Sequence, residues 1–158
     1  TGAGAMTKTD SGTVVLSGAN TYSGGTTLTA GTLVLNNSTA LGTGALTING
    51  GALNSTAANP VTLANDNVQT WASDFAFTGG QSLNLGAGAV TMTASRALTI
   101  NANTLTVGGV ISGSGFGLTK AGAGVLALSG ANTYDGGTTV SAGGLSFLNT
   151  AAKPASGT

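Results

Sequence analysis

The sequence predicts an all-β protein of the parallel β-helix type, a solenoid with three short strands per coil of about 21–22 residues and roughly seven coils. Three observations carry that expectation. Apolar residues come as short alternating pairs. From Leu83 onward, strand starts at Leu83, Val90, Leu98, Leu105, Ile111, Leu118 and Leu126 recur every six to eight residues, and every third start is equivalent. One long segment occurs twice, and such internal repetition marks a stacked architecture.

The pairs run the length of the chain. Val14 and Leu16 come first, then Leu33 and Leu35, Leu46 and Ile48, Val61 and Leu63, and Phe75 and Phe77. Leu83 and Leu85, Val90 and Met92, Leu98 and Ile100, and Leu105 and Val107 continue the series, which ends with Leu126 and Leu128 and with Leu145 and Phe147. Period two over three to five residues describes a short strand with one face buried. Gly, Asn, Ser and Ala clusters punctuate the pairs, as turns require. Glutamate is absent, and Gly and Thr recur throughout, which is poor helix chemistry. The coil length follows from Leu83, Leu105 and Leu126, whose spacings are 22 and 21 residues. A sandwich of hairpins would show longer strands, with turn signals about every 8–12 residues.

The repeat pairs Met6 to Leu35 with Leu118 to Phe147, offset by 112 residues, with 17 identities in 30 positions. Its centre reads Ser17-Gly18-Ala19-Asn20-Thr21-Tyr22-Ser23-Gly24-Gly25-Thr26-Thr27 in the first copy. The second reads Ser129-Gly130-Ala131-Asn132-Thr133-Tyr134-Asp135-Gly136-Gly137-Thr138-Thr139. At 22 residues per coil the offset is expected to span about five coils, so the motif marks a module longer than one coil. Gly24-Gly25 and Gly136-Gly137 are expected to make a corner with φ > 0. Asn20 and Asn132 are expected to bond the backbone of the preceding turn, and Tyr22 and Tyr134 to cover the corner with the ring inward and the hydroxyl wet.

Composition narrows the function classes. Charged residues make up 5% of the chain against about 25% in ordinary soluble proteins, while 41% are hydrophobic. Regularly placed Leu, Val and Ile argue against a disordered Gly/Ser linker, and two prolines with no three-residue glycine period exclude collagen. Net charge is zero, and Lys8, Arg96, Lys120 and Lys153 are scattered, so no basic patch for nucleic acid forms. Near-zero net charge weakens repulsion between copies and leaves lateral or end-to-end self-association open. No apolar run reaches the ~18–20 residues of a spanning helix, so no membrane insertion of this segment is expected. Starting at Thr1, the chain reads as a single β-helix segment, residues 1–158, of a longer protein.

The residues then become familiar. Leu118-Thr119-Lys120-Ala121-Gly122-Ala123-Gly124, with Leu126, Leu128, Ser129 to Tyr134 and Gly136 to Thr139, resembles the autotransporter-associated β-strand repeat, also called the passenger-associated transport repeat. The first copy, from Thr7-Lys8 to Leu33, is similar. It departs by carrying Asp10-Ser11 before Gly12 where the family tends to have Gly-Ala. Val110-Ile111-Ser112-Gly113-Ser114-Gly115 resembles the family's lead-in. The resemblance implies a right-handed parallel β-helix in a secreted or surface-displayed bacterial passenger, with a structural and secretion-related repeat and no catalytic residues. An adhesin role is implied too, which adds a host-cell or surface glycan to self-association as an expected partner.

Chemistry-bearing residues are few. Histidine, cysteine and glutamate are all absent, which removes Ser-His-Asp and Cys-His nucleophile systems and most zinc ligand sets. No catalytic, cofactor-binding or metal residue is expected, and no cofactor. Of the four aspartates, Asp66 and Asp74 are the one pair close in sequence, but eight residues is a strand step and not a coil, so solvated turn acids are the better reading of all four. Asn65 to Gly80 fits the period worst. It concentrates Trp71, Phe75 and Phe77 and reads as a bulged coil or a loop leaving the solenoid, where binding could sit, but three aromatics filling a wider core section is the favoured reading of them. Thr-x-Thr triplets at Thr27/Thr29, Thr91/Thr93 and Thr104/Thr106 are not one coil apart, so no continuous threonine array is expected. Lys8 and Lys120 share one repeat position, where a stem lying over the apolar rim with its head in water is expected.

Overall fold

The computed structural model describes residues 2–154. Among these described residues all of the regular structure is strand except for one 3₁₀ turn, Thr150–Ala152. The chain winds through seven coils. The first contributes β1 (Met6–Lys8) and β2 (Thr13–Leu16), the second β3 (Thr26–Leu28) and β4 (Thr32–Leu35). The third supplies β5 (Leu46–Ile48), β6 (Ala52–Asn54) and β7 (Val61–Thr62); the fourth β8 (Gln69–Trp71), β9 (Phe75–Phe77) and β10 (Leu83–Asn84). The fifth holds β11 (Val90–Met92), β12 (Arg96–Ile100) and β13 (Thr104–Val107); the sixth β14 (Ile111–Ser112), β15 (Leu118–Ala121) and β16 (Val125–Leu128). The seventh closes with β17 (Thr138–Val140) and β18 (Gly144–Phe147).

Three parallel sheets result. The first face runs β1-β3-β5-β8-β11-β14, the second β2-β4-β6-β9-β12-β15-β17, and the third β7-β10-β13-β16-β18. The parallel β-helix with three strands per coil is therefore the observed fold, with one refinement. The third face has no strand in the first two coils, and the first face has none in the seventh. In the second coil, turns over residues 38–43 take the strand's place, and Ala40 and Leu41 fill the core there.

The period-two pattern works as expected. Leu28, Leu33, Leu46, Ile48, Leu53, Phe77, Leu98, Ile100, Leu105, Val107 and Leu126 are all fully buried and belong to one continuous core between the three sheets. Such a core forms because one coil cannot cover its own apolar side; a neighbour must. Coil length varies, from 19 residues between Thr13 and Thr32 to 24 between Ala52 and Ala76. The longest steps span Asn65 to Gly80. That stretch does not leave the solenoid: Trp71 and Phe77 are wholly buried and Phe75 nearly so, and the extra residues lengthen the coil around them. The Trp71 and Phe75 rings meet edge to face, 5.3 Å between centroids at 70°, as ring quadrupoles favour.

The 112-residue offset is not five whole coils. Met6, Thr26, Leu46, Gln69, Val90 and Ile111 stack in register on the first face, so five coil steps end at Ile111. The second copy starts one strand later, at Leu118. Hence β1 and β3 of the first copy lie on the first face, whereas their counterparts β15 and β17 lie on the second. The second motif is turned by one face around the axis relative to the first.

Candidate functional site: the repeated corner

In both copies the motif centre replaces a strand. After β2 the chain crosses the third face through Ser17 to Gly25; after β16 it crosses the first face through Ser129 to Gly137. Side chains hold these crossings in place of ladder bonds. Asn132 Nδ2 donates to the carbonyl of Ala152 (2.6 Å), and its Oδ1 accepts from the amide of Ile111 (2.9 Å). The residue thus clamps the coil before to the coil after, while itself buried. Asn20 Nδ2 donates to Ala40 (2.8 Å), the equivalent bond to the following coil. The expected bond to the preceding turn is present at Asn132 alone among the described contacts, and the link forward is common to both copies.

Tyr22 and Tyr134 place their hydroxyls 2.7 Å from Thr26 Oγ1 and Thr138 Oγ1. Tyr134 is almost fully buried, and that burial raises its phenol above the usual range, so its hydroxyl is not wet. The paired glycines divide their work. Gly25 and Gly137 both sit at φ +87°, while Gly24 and Gly136 approach the backbone of the coil before so closely that a Cβ would overlap it. Only the second glycine of each pair needs positive φ.

Sequence reasoning stopped the motif too early. Asn37 and Asn149, again 112 apart, donate from Nδ2 to Ser17 (3.4 Å) and Ser129 (2.7 Å). Each also accepts a local amide, from Thr39 and from Ala152. Extending the comparison by five residues past Leu35 and Phe147 would have found this pair, and the buried Ala40 and Ala152 beside it.

The lysines overturn the expectation of a wetted head. Lys120 has no exposed surface and Lys8 is 4% exposed. Lys120 Nζ donates to the carbonyls of Ala121 (2.8 Å), Gly122 (2.8 Å) and Ala142 (3.1 Å). Two stacked corners, at Gly122 (φ +78°) and at Gly143 (φ +68°), supply these carbonyls, and an ammonium with three donors answers all three. Burial pushes the ammonium below the usual lysine range. Lys8 bonds the carbonyl and the carboxylate of Asp10. The Asp10-Ser11 departure from the family pattern therefore gives this lysine an ion pair. The hydrogen bond from Lys8, followed by that from the Gly12 amide, holds Asp10 below the ordinary carboxylate range. Lys120→Met keeps the stem and leaves three carbonyls without a donor. It is expected to lower stability by about 1–3 kcal/mol, read from urea unfolding.

The remaining aspartates are exposed, and each holds the backbone of a neighbouring coil. Asp66 accepts from the amide of Ala87 (2.6 Å), Asp74 from Ala97 (2.9 Å), and Asp135 from Gly115. Asp74 also lies 3.7 Å from Arg96. Among the described residues, no group of three or more acidic, His or Cys side chains is placed to hold a metal, and no helix is long and apolar enough to cross a membrane.

Comparison with known proteins agrees with this architecture. The family model described as Passenger-associated-transport-repeat matches residues 6–35, 30–54 and 118–147. The middle match, over the second and third coils, had no counterpart in the sequence reading. A curated relative, the adhesin BmaC autotransporter of Brucella suis biovar 1 (strain 1330), is 38% identical over 97 residues, 61% of this chain. The chain spans about 2% of that relative's length. No solved structure matches the chain. Such a repeat, with an autotransporter relative, marks a secreted protein displayed at the cell surface. With its three matches covering half of the sequence in a solenoid built around the same corners, the chain belongs to the passenger-associated-transport-repeat family.

Proposed function

We propose that the chain is a non-catalytic structural length of an adhesin-type passenger: a β-helical stalk that folds outside the cell and holds other parts of the protein away from the surface. One observation carries this reading. All four aspartates, the only side-chain carboxylates present, are engaged in holding the solenoid's own backbone. General acid–base work needs a carboxyl free to exchange protons with a substrate, so their use as staples favours a mechanical task. The adhesin relative supports the setting.

The test is a fourfold change of Asp10, Asp66, Asp74 and Asp135 to Asn, made in the full-length displayed protein. Asn keeps an oxygen that accepts the same amides and removes carboxylate chemistry. Surface display and adhesion are expected to persist. Loss of adhesion with display intact, or polysaccharide cleavage by the wild type that the fourfold variant lacks, would overturn the reading.

A further inference from the structure

No Thr-x-Thr array forms, as expected, but single hydroxyl residues do form a continuous column on the first face. Strand register stacks Thr7, Thr27, Thr47, Thr70, Thr91 and Ser112, one from each of six successive coils. All six alternate with inward core residues, and their side chains are exposed or half-buried. The other faces carry no such column. Ala52 and Ala76 interrupt it on the second, Asn84 and Ala127 on the third. Within the six strands of the first face the only charged residue is Lys8, which points inward. Arg96 reaches the rim, donating to Thr93 (3.1 Å).

We propose that this face docks against the same face of a second copy of the chain. The inference rests on the reading of the chain as a surface-displayed segment, where many copies stand side by side. Two arguments select an identical partner. A hydroxyl both donates and accepts, so a threonine column complements itself, and a face without charge does not repel its own image as a charged one would. The column also repeats at the strand spacing of ~4.8 Å, so a partner that interdigitates along its whole length needs the same spacing, which a second copy has by construction. A two-fold axis midway along the column sets Thr47 against Thr70 of the second copy and Thr27 against Thr91.

The contact is small. Six strands at ~4.8 Å and about three residues at ~3.3 Å give roughly 300 Å² a side, against about 800 Å² per partner in a standard interface. A single pair is therefore weak, and dense display supplies the strength through multivalency.

The experiment coats beads densely with the 158-residue chain and scores clumping, with circular-dichroism melts confirming that each variant is folded. Wild-type beads are expected to clump. T47K/T70K and T47D/T70D beads are each expected to clump at least about tenfold less, because like charges now meet across the axis. Mixing the Lys and Asp beads is expected to restore clumping, and T99K on the second face is expected to leave it unchanged. Folded wild-type beads that stay dispersed would overturn the proposal and leave the stalk reading standing. Clumping that survives T47K/T70K, or a Lys and Asp mixture that stays dispersed, would place association elsewhere on the molecule and overturn it too.

Discussion

Gly109→Ala lowers the stability of the chain by at least about 3 kcal/mol, and its melting temperature by roughly 6–12 °C. The reason is contact, not torsion. A Cβ at Gly109 would overlap the carbonyl oxygen of Gly88 in the coil before, and the same relation ties Gly130 to Gly109 and Gly88 to Asn67. Three glycines spaced by 21 residues let the backbone of one corner rest directly on the next. A flexible side chain could move aside; a carbonyl held in a stacked coil cannot, and shifting it would break ladder bonds on both flanking faces. Gly115→Ala is the matched control. Its Cβ would meet nothing within 4 Å, although φ is +76° there, so the cost is confined to local torsion. Equal losses for the two variants in thermal melts would refute the contact account.

Trp71→Ala is expected to cost about 3–5 kcal/mol, the range for emptying a large aromatic site in a core. Trp71 lies in register between Ile48 below and Met92 above, and its Nε1 donates to Gln69 Oε1 (3.2 Å), itself buried. Truncation opens a cavity in the fourth coil and weakens the interfaces on both sides, and in a solenoid those nearest-neighbour terms are most of the stability. Trp71→Phe keeps most of the volume but leaves Gln69 without its donor. Its expected cost is smaller, about 1–3 kcal/mol. A Phe variant as unstable as the Ala variant in urea unfolding would mean that the hydrogen bond, and not the ring volume, carries the site.

The strands were legible because burial alternates with period two, a signal that survives in segments as short as Leu46–Ile48 or Phe75–Phe77. Coil length was legible for a related reason, since Leu83, Leu105 and Leu126 occupy one column. Other features were hidden by averaging. Dividing 112 by 22 gives nearly five, yet real coils of 19 to 24 residues end five steps at Ile111, and only the hydrogen-bond register shows the seven residues left over. The threonine column was missed because triplets were sought, whereas one threonine per coil at positions 7, 27, 47, 70 and 91 suffices.

The lysines were misread for a more general cause. Lys120 looks like a solvated rim residue because the acceptors that bury it are backbone carbonyls, which no side-chain pattern reveals, whereas Lys8 finds its carboxylate partner at Asp10, two residues on. Ala121, Gly122 and Ala142 carry no sign of that role in their identities. The Asn20 and Asn132 links forward were hidden in the same way, since their acceptors are the carbonyls of Ala40 and Ala152 in a coil whose register was not yet known.

The turn of the second motif by one face has a consequence for how far two sides of the column can extend. The first face runs flat for six strands and then stops, because Asn132 to Tyr134 cross it where a seventh strand would lie. By stepping to a new side, the repeat interrupts the third face in its first copy and the first face in its second, while the second face runs through all seven coils. The motif is thus a ruler as much as a fastener: on the faces it crosses, it sets how long an uninterrupted surface this kind of solenoid can offer to a neighbour.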